Sequence, residues 1–348
     1  MLKADFVKYT LIFKRPSGTS RGILTAKDSW FIKVWDKSNP AIYGLGECSL
    51  IYGLSPDPIK DYENKLREVV KNINHITPKL NLQAFPSINF GLETAIKDLQ
   101  EGGSRILFQS EFTESGKPIT INGLVWMGDY QFMRKQIIEK IDKGFNCIKL
   151  KIGAIDFKKE LELLRHIRQD FKEKELELRV DANGAFLPAE ALEKLKKLSE
   201  YQIHSIEQPI KPRQWDTMAH LCEKSPVAIA LDEELIGMKD EEIPDMLDII
   251  NPQYIILKPS LLGGLKQSEK FIHAANNKNI GWWITSALES NIGLNAIAQW
   301  TATLNNFMPQ GLGTGQLYTN NFPSPLLVER GKIFYHKESS WDLTLLKL

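Results

Sequence analysis

The sequence predicts an α/β protein: a (β/α)8 TIM-type barrel fills its larger part, and a smaller α+β domain precedes it. Three observations carry that prediction. From about residue 118 onward, short apolar runs alternate with amphipathic stretches, the pattern of a parallel sheet with crossover helices. Eight such runs are present, and eight strands close a barrel of this type. Finally, Lys151, Asp181, Glu207, Asp232 and Lys258 each end one of these runs, with Lys149 two positions before the first. Their spacings of 30, 26, 25 and 26 residues match the roughly 30 residues of one crossover unit.

The elements follow in order. Residues 6–13 and 30–35 are β-branched and aromatic runs bounded by Gly, Pro, Asp and Asn, which reads as a small antiparallel sheet. Residues 62–70 set Leu66, Val69 and Val70 at i, i+3 and i+4, and 90–99 share that rhythm, so both suit helices packed on one face. The barrel strands are expected at 119–125, 147–152, 176–181, 203–207, 227–232, 254–258 and 282–286, with a weak eighth near Gly311. Helices are expected between them, as at 157–170 and at 188–198, where Pro188 suits a first turn. The last residues return to short β-like runs such as 332–335. The expected organisation is therefore an α+β domain over 1–98, the barrel over 99–319, and a segment, 320–348, that packs back on the first domain.

Composition narrows the partners. At 348 residues with 43% hydrophobic and 25% charged residues, the chain is ordinary for a globular protein. A formal net charge of +1 offers no electrostatic pull toward nucleic acid or an anionic membrane. Cys48, Cys147 and Cys222 form no CxxC pair, which points to a reducing compartment. No apolar run approaches the ~20 residues that span a bilayer, and the first residues lack a signal-peptide pattern. A cytoplasmic protein acting on a small molecule is expected.

In a parallel barrel, the functional side chains gather at the C-terminal strand ends. One acid there reads as a helix cap; three in phase with adjacent strand ends read as a metal site. Asp181, Glu207 and Asp232 would repel one another strongly if left alone, and all-oxygen ligation suits Mg²⁺, with Mn²⁺ as its substitute. Lys149 and Lys151 are two apart on one strand, so both face inward, where unpaired lysines are costly unless a site uses them. Lys258 ends the sixth strand, across the mouth from the second. The metal and neighbouring cations are expected to lower the pKa of Lys151, making a neutral amine available.

Lys149-x-Lys151, Asp181-x-Asn183, Glu207-Gln208-Pro209, Asp232-Glu233 and the strand-six Lys258 together resemble the enolase superfamily over nearly the whole chain. The resemblance implies a modified (β/α)8 barrel under an α+β capping domain, and an enediolate stabilised on Mg²⁺. It also implies Asp181, Glu207 and Asp232 as ligands, with Asp232 favoured over Glu233 as the third. Lys151 and Lys258 would then flank the substrate, Lys149 would help neutralise the enediolate, and Asn183 would sit beside the ligands. The seventh run, 282–286, has no histidine, and 311–315 is Gly-Leu-Gly-Thr-Gly rather than Asp-x-Asp. This departs from racemases that use a His–Asp pair and from epimerases that bind an ammonium. Arg179-Val180-Asp181-Ala182-Asn183, the stretch 286–291 and the Gly-Thr-Gly loop look like the o-succinylbenzoate synthases. That likeness implies a carboxylate substrate dehydrated by Lys151 as base, with Arg179, Asn183, Ser286, Gly313 and Thr314 beside the ligands or the substrate.

Three other readings compete: racemisation of an N-acylated amino acid by both lysines, a metal-free enzyme using Lys258 as a Schiff base, and a non-catalytic binding protein. The Gly/Ser-rich stretch 16–22 is expected to be a mobile lid, and 50–54 to present apolar groups to a ring. His204, Trp282 and Trp283 read as packing residues.

Overall fold

The computed structural model describes residues 1–19, 22–75, 80–153 and 155–347. Its first sheet is antiparallel, built from Leu2–Thr19, Gly22–Asp36 and Asn39–Ser49 in that order. The helices Tyr62–Lys71 and Pro86–Gln100 cover one face, and Trp30, Ile32, Val34, Leu66, Val69, Ile88 and Leu92 form the core between them. Gly44 and Gly46 explain how close that packing is. A Cβ on Gly46 would lie 1.9 Å from Gly91 O, and one on Gly44 1.9 Å from Ala95 O, so only glycine lets strand and helix touch backbone to backbone. Ser20 and Arg21, in the stretch expected to be a lid, lie outside the described residues.

The second sheet has seven parallel strands. In spatial order they are Gly123–Val125, Cys147–Lys151, Glu177–Asp181, Ser205–Glu207, Ala228–Leu231, Tyr254–Leu257 and Gly281–Ile284. Helices such as Phe157–Asp170 and Pro188–Ser199 lie between them in sequence. Their apolar faces meet the strands in one large core that includes Leu163, Leu164, Ile167, Leu195 and Leu198. The expected eighth strand is reduced to two parallel bridges, Ile121 with Gln310 and Thr285 with Gly311, which join the first strand to the seventh. The result is a modified TIM-type barrel with an N-terminal cap.

The C-terminal residues divide between two neighbours. Phe322, Trp341, Leu343 and Leu346 pack with Phe31 and Leu45 of the cap sheet. The hairpin Leu326–Glu329 and Lys332–Tyr335 differs: it pairs antiparallel with Ile119–Thr120, and Ile333 and Tyr335 join the barrel core. The short strand Ile119–Thr120, just ahead of the first barrel strand, thus draws the hairpin to the barrel. No helix among the described residues is long and apolar enough to cross a membrane.

Candidate active site

Parallel register brings the charged residues together. Lys151 pairs with Asp181 and Asp181 with Glu207 across neighbouring strands, so three charged side chains leave one face side by side. Asp232 follows its strand directly, and the side chains of Asp181, Glu207 and Asp232 bring three carboxylate oxygens within 4.8 Å of one another. All three residues are buried.

The lysines hold that cluster in place. Lys149 Nζ donates to Glu207 Oε2 at 2.7 Å and lies 3.5 Å from Asp181 Oδ2. Lys151 Nζ donates to Asp181 Oδ2 at 2.8 Å and to Asn183 Oδ1 at 2.7 Å. Lys258 Nζ donates to Asp232 Oδ2 on the opposite side. Asn183, at a left-handed φ of 45° just past its strand, also donates through Nδ2 to Glu233 Oε1 at 2.9 Å. Glu233 therefore supports Asn183, while Asp232 joins the converging triad.

Electrostatics and donor chemistry both fit a cation. Burial alone would raise the Asp181 carboxyl, but Lys151, Lys149 and Lys258 hold it well below the usual carboxylate range. Burial of Glu207, only partly offset by Lys149 and reinforced by Asp181 and Asp232, pushes its carboxyl up to about 7. Burial would lower Lys149 and Lys258, yet the facing carboxylates more than offset it and raise both. Glu207 Oε1 is buried and has no hydrogen-bond partner, an acceptor that a hard cation would satisfy.

Above the cluster lies a cavity of about 160 Å³. Lys149, Lys151, Asp181, Asn183 and Lys258 form its polar floor, and Ser286, Gly313 and Thr314 stand in its wall. Ser286 Oγ and Thr314 Oγ1 share a hydrogen bond of 2.6 Å. The cap contributes Leu24, Ile51, Tyr52 and Leu54, so the 50–54 stretch does bring apolar groups to the chamber.

Arg179 does not reach it. As the residue two before Asp181 on the same face, it lies one layer lower in the barrel. There it is fully buried, donates to Glu177 Oε1 and Pro309 O, and stacks on Trp283 at 4.2 Å. It braces the barrel interior rather than a substrate. His204 packs on Tyr254 and Trp283 in that same layer. Sequence reasoning missed Gln208, whose Oε1 accepts from the backbone N–H of Asp232 and Glu234 and so shapes the strand-five turn. Its place inside Glu207-Gln208-Pro209 was the available signal.

A barrel roofed by an α+β cap, with three carboxylates and three lysines at its C-terminal rim, defines the class of protein. Residues 133–338 match the family model described as enolase C-terminal domain-like. The o-succinylbenzoate synthase of Desulfotalea psychrophila is 49% identical, over 95% of this chain and 98% of that protein. The crystal structure of MenC from the same organism superimposes with a TM-score of 0.85 at 45% identity, covering 96% of this chain and 99% of that one. A dipeptide epimerase from Enterococcus faecalis shares the fold alone, with a TM-score of 0.83 at 19% identity over 97% and 98% of the two chains. The chain belongs to the enolase superfamily.

Proposed function

We propose that this chain is an o-succinylbenzoate synthase. It dehydrates 2-succinyl-6-hydroxy-2,4-cyclohexadiene-1-carboxylate to o-succinylbenzoate, a step of menaquinone biosynthesis. The observation that carries the reading is 49% identity to such an enzyme over nearly the full length of both chains. The site is consistent with it: lysines stand on both sides of the carboxylate triad at the floor of one cavity.

Asp181, Glu207 and Asp232 would hold Mg²⁺, or Mn²⁺ in its place. When bound, the cation would supply positive charge at the substrate carboxylate. Lys151 takes the α-proton. The C–H bonding pair moves into the carboxylate, then returns to form the new ring double bond as the C–O bond breaks. The leaving hydroxide takes its proton from the Lys151 ammonium and departs as water, so one residue serves as base and then as acid on one face. Lys258 lies across the mouth as a cation, and Lys149 adds charge from below. Asn183 orients Lys151 through its Oδ1; Ser286, Gly313 and Thr314 bound the substrate. Lys258 is held by Asp232 and raised above its ordinary range, which disfavours it as a Schiff-base nucleophile. Racemisation of an N-acylated amino acid shares this lysine pair and is the reading to exclude.

The test is direct. Purified protein is supplied with the cyclohexadiene substrate and, separately, with an N-succinylamino acid. Rapid ring aromatisation, dependent on Mg²⁺, is expected. Racemisation without aromatisation would overturn the reading.

A further inference from the structure

The segment between the seventh barrel strand and the helix Asn291–Thr303 supplies Ser286, Ala287 and Leu288 to the cavity wall. Its backbone is held in a costly shape: Leu288 sits at φ +61°, a left-handed conformation that a bulky side chain adopts only when its surroundings enforce it. Those surroundings are specific. Ser49 Oγ donates to Ala287 O at 3.3 Å, and Tyr318 Oη to Leu288 O at 2.7 Å. Ala287 N donates to Glu289 Oε2 at 2.7 Å, and Glu289 Oε1 in turn accepts from Ser260 Oγ.

The last anchor comes from the cap. Glu47, wholly buried on the strand Asn39–Ser49, reaches the N-terminus of the barrel helix. Its Oε2 accepts from Ser290 N at 2.9 Å, Ser290 Oγ at 2.6 Å and Gly293 N at 3.1 Å. A side chain at Gly293 would crowd this site, because its Cβ would lie 2.8 Å from Glu289 Cβ and 2.9 Å from Glu47 Oε2. Behind Glu47, Ser29 Oγ donates to Oε1 at 2.8 Å, and Lys27 Nζ donates to Ser29 Oγ at 2.9 Å while lying 3.7 Å from the carboxylate. A carboxylate at a helix N-terminus meets unpaired N–H groups and the positive end of the helix dipole. Glu47 itself is absent from the cavity wall.

We infer that Glu47 is a positioning residue: from outside the cavity it latches the cap to the 286–290 segment and holds the strained Ser286–Leu288 wall against the substrate. The inference rests on the proposed dehydration for its kinetic readout, but not for its structural one. Glu47→Gln replaces one acceptor oxygen with a donor facing N–H groups. Hydrogen–deuterium exchange of the substrate-free protein should accelerate in 285–293. KM for the cyclohexadiene substrate should rise about tenfold, the order expected for losing a charge-assisted hydrogen bond. Mn²⁺ affinity, read by electron paramagnetic resonance, should stay within a factor of two. Tyr318→Phe releases Leu288 from the other side and should give the same pattern, so the idea remains testable if Glu47→Gln does not fold. Unchanged exchange and KM in the folded variants would overturn the latch, as would a loss of stability with KM intact. A wild-type protein inactive on this substrate would instead overturn the functional reading, and the exchange data would still decide the latch.

Discussion

Replacing Lys151 by alanine separates the base from its two charged neighbours. Lys149 is bound to Glu207 at 2.7 Å and Lys258 to Asp232, and the facing carboxylates raise both above their ordinary range against the opposing effect of burial. Both are therefore ammonium ions near pH 7 and cannot accept a proton in place of Lys151. The expected loss is that of a positioned general base, about 10²–10⁴ in kcat. Metal affinity should not fall with it. Lys151 donates to Asp181 Oδ2 at 2.8 Å, so its removal frees an oxygen of the triad and takes away a competing cation. Solvent-deuterium exchange at the substrate α-carbon is the assay, beside Mn²⁺ titration of the same protein. A variant that exchanges at close to the wild-type rate, while Lys258→Arg is inert, would refute the reasoning by placing the base on the opposite face.

Other expectations follow from single groups. Asp181→Asn and Glu207→Gln should each weaken Mg²⁺ binding and activity together, and full turnover in chelated protein would refute the metal assignment. Gly313→Asp should fold, since its Cβ meets only Ile121 Cδ1 at 3.5 Å and Asn122 O at 3.7 Å. The new anion would face a dianionic substrate, and such like-charge contacts cost several kcal/mol, so kcat/KM should fall about 10²–10³; an unchanged value would show that the substrate does not approach this wall. Asp57 is a test of stability: burial raises its carboxyl from 3.8 to about 6 despite the hydrogen bonds from Ser87. The folded state keeps a proton that the unfolded chain releases, so this contribution is greatest below 3.8 and is lost as pH rises through about 6. Two units correspond to roughly 3 kcal/mol, and denaturant titrations of Asp57→Asn should lack that decline; equal slopes in both proteins would refute it.

How much of this was legible depended on whether a residue's role leaves a periodic trace. Strand ends repeat, so Lys151, Asp181, Glu207, Asp232 and Lys258 were found by counting, and parallel register brings the first three side by side. The seven well-formed barrel strands were legible because each is an apolar run. The cap's third strand was not: Asn39–Ser49 carries Gly44 and Gly46, which weaken a strand pattern but are required where the helix touches its backbone. Arg179, placed beside the ligands or the substrate by the likeness of its motif, lies outside the cavity lining. Two residues along a strand is a full layer of the barrel, enough to move a guanidinium from the rim to the face of Trp283. The destination of the hairpin at 326–335 was equally hidden, since short alternating strands do not specify which edge they will pair with.

Glu47 shows the other limit of sequence reading. Its partner Ser290 is 243 residues away, and nothing in either local pattern announces the pair. Yet the same physics governs this site and the floor of the cavity. Lys149, Lys151 and Lys258 each donate to one member of the triad Glu207, Asp181 and Asp232. Breaking such a buried cluster by removing one partner is far more costly than the net stability it confers. The groups suited to proton transfer and cation binding are therefore also held in place by one another. The cap then needs only to close the roof, and Glu47 ties that roof to the wall the substrate meets.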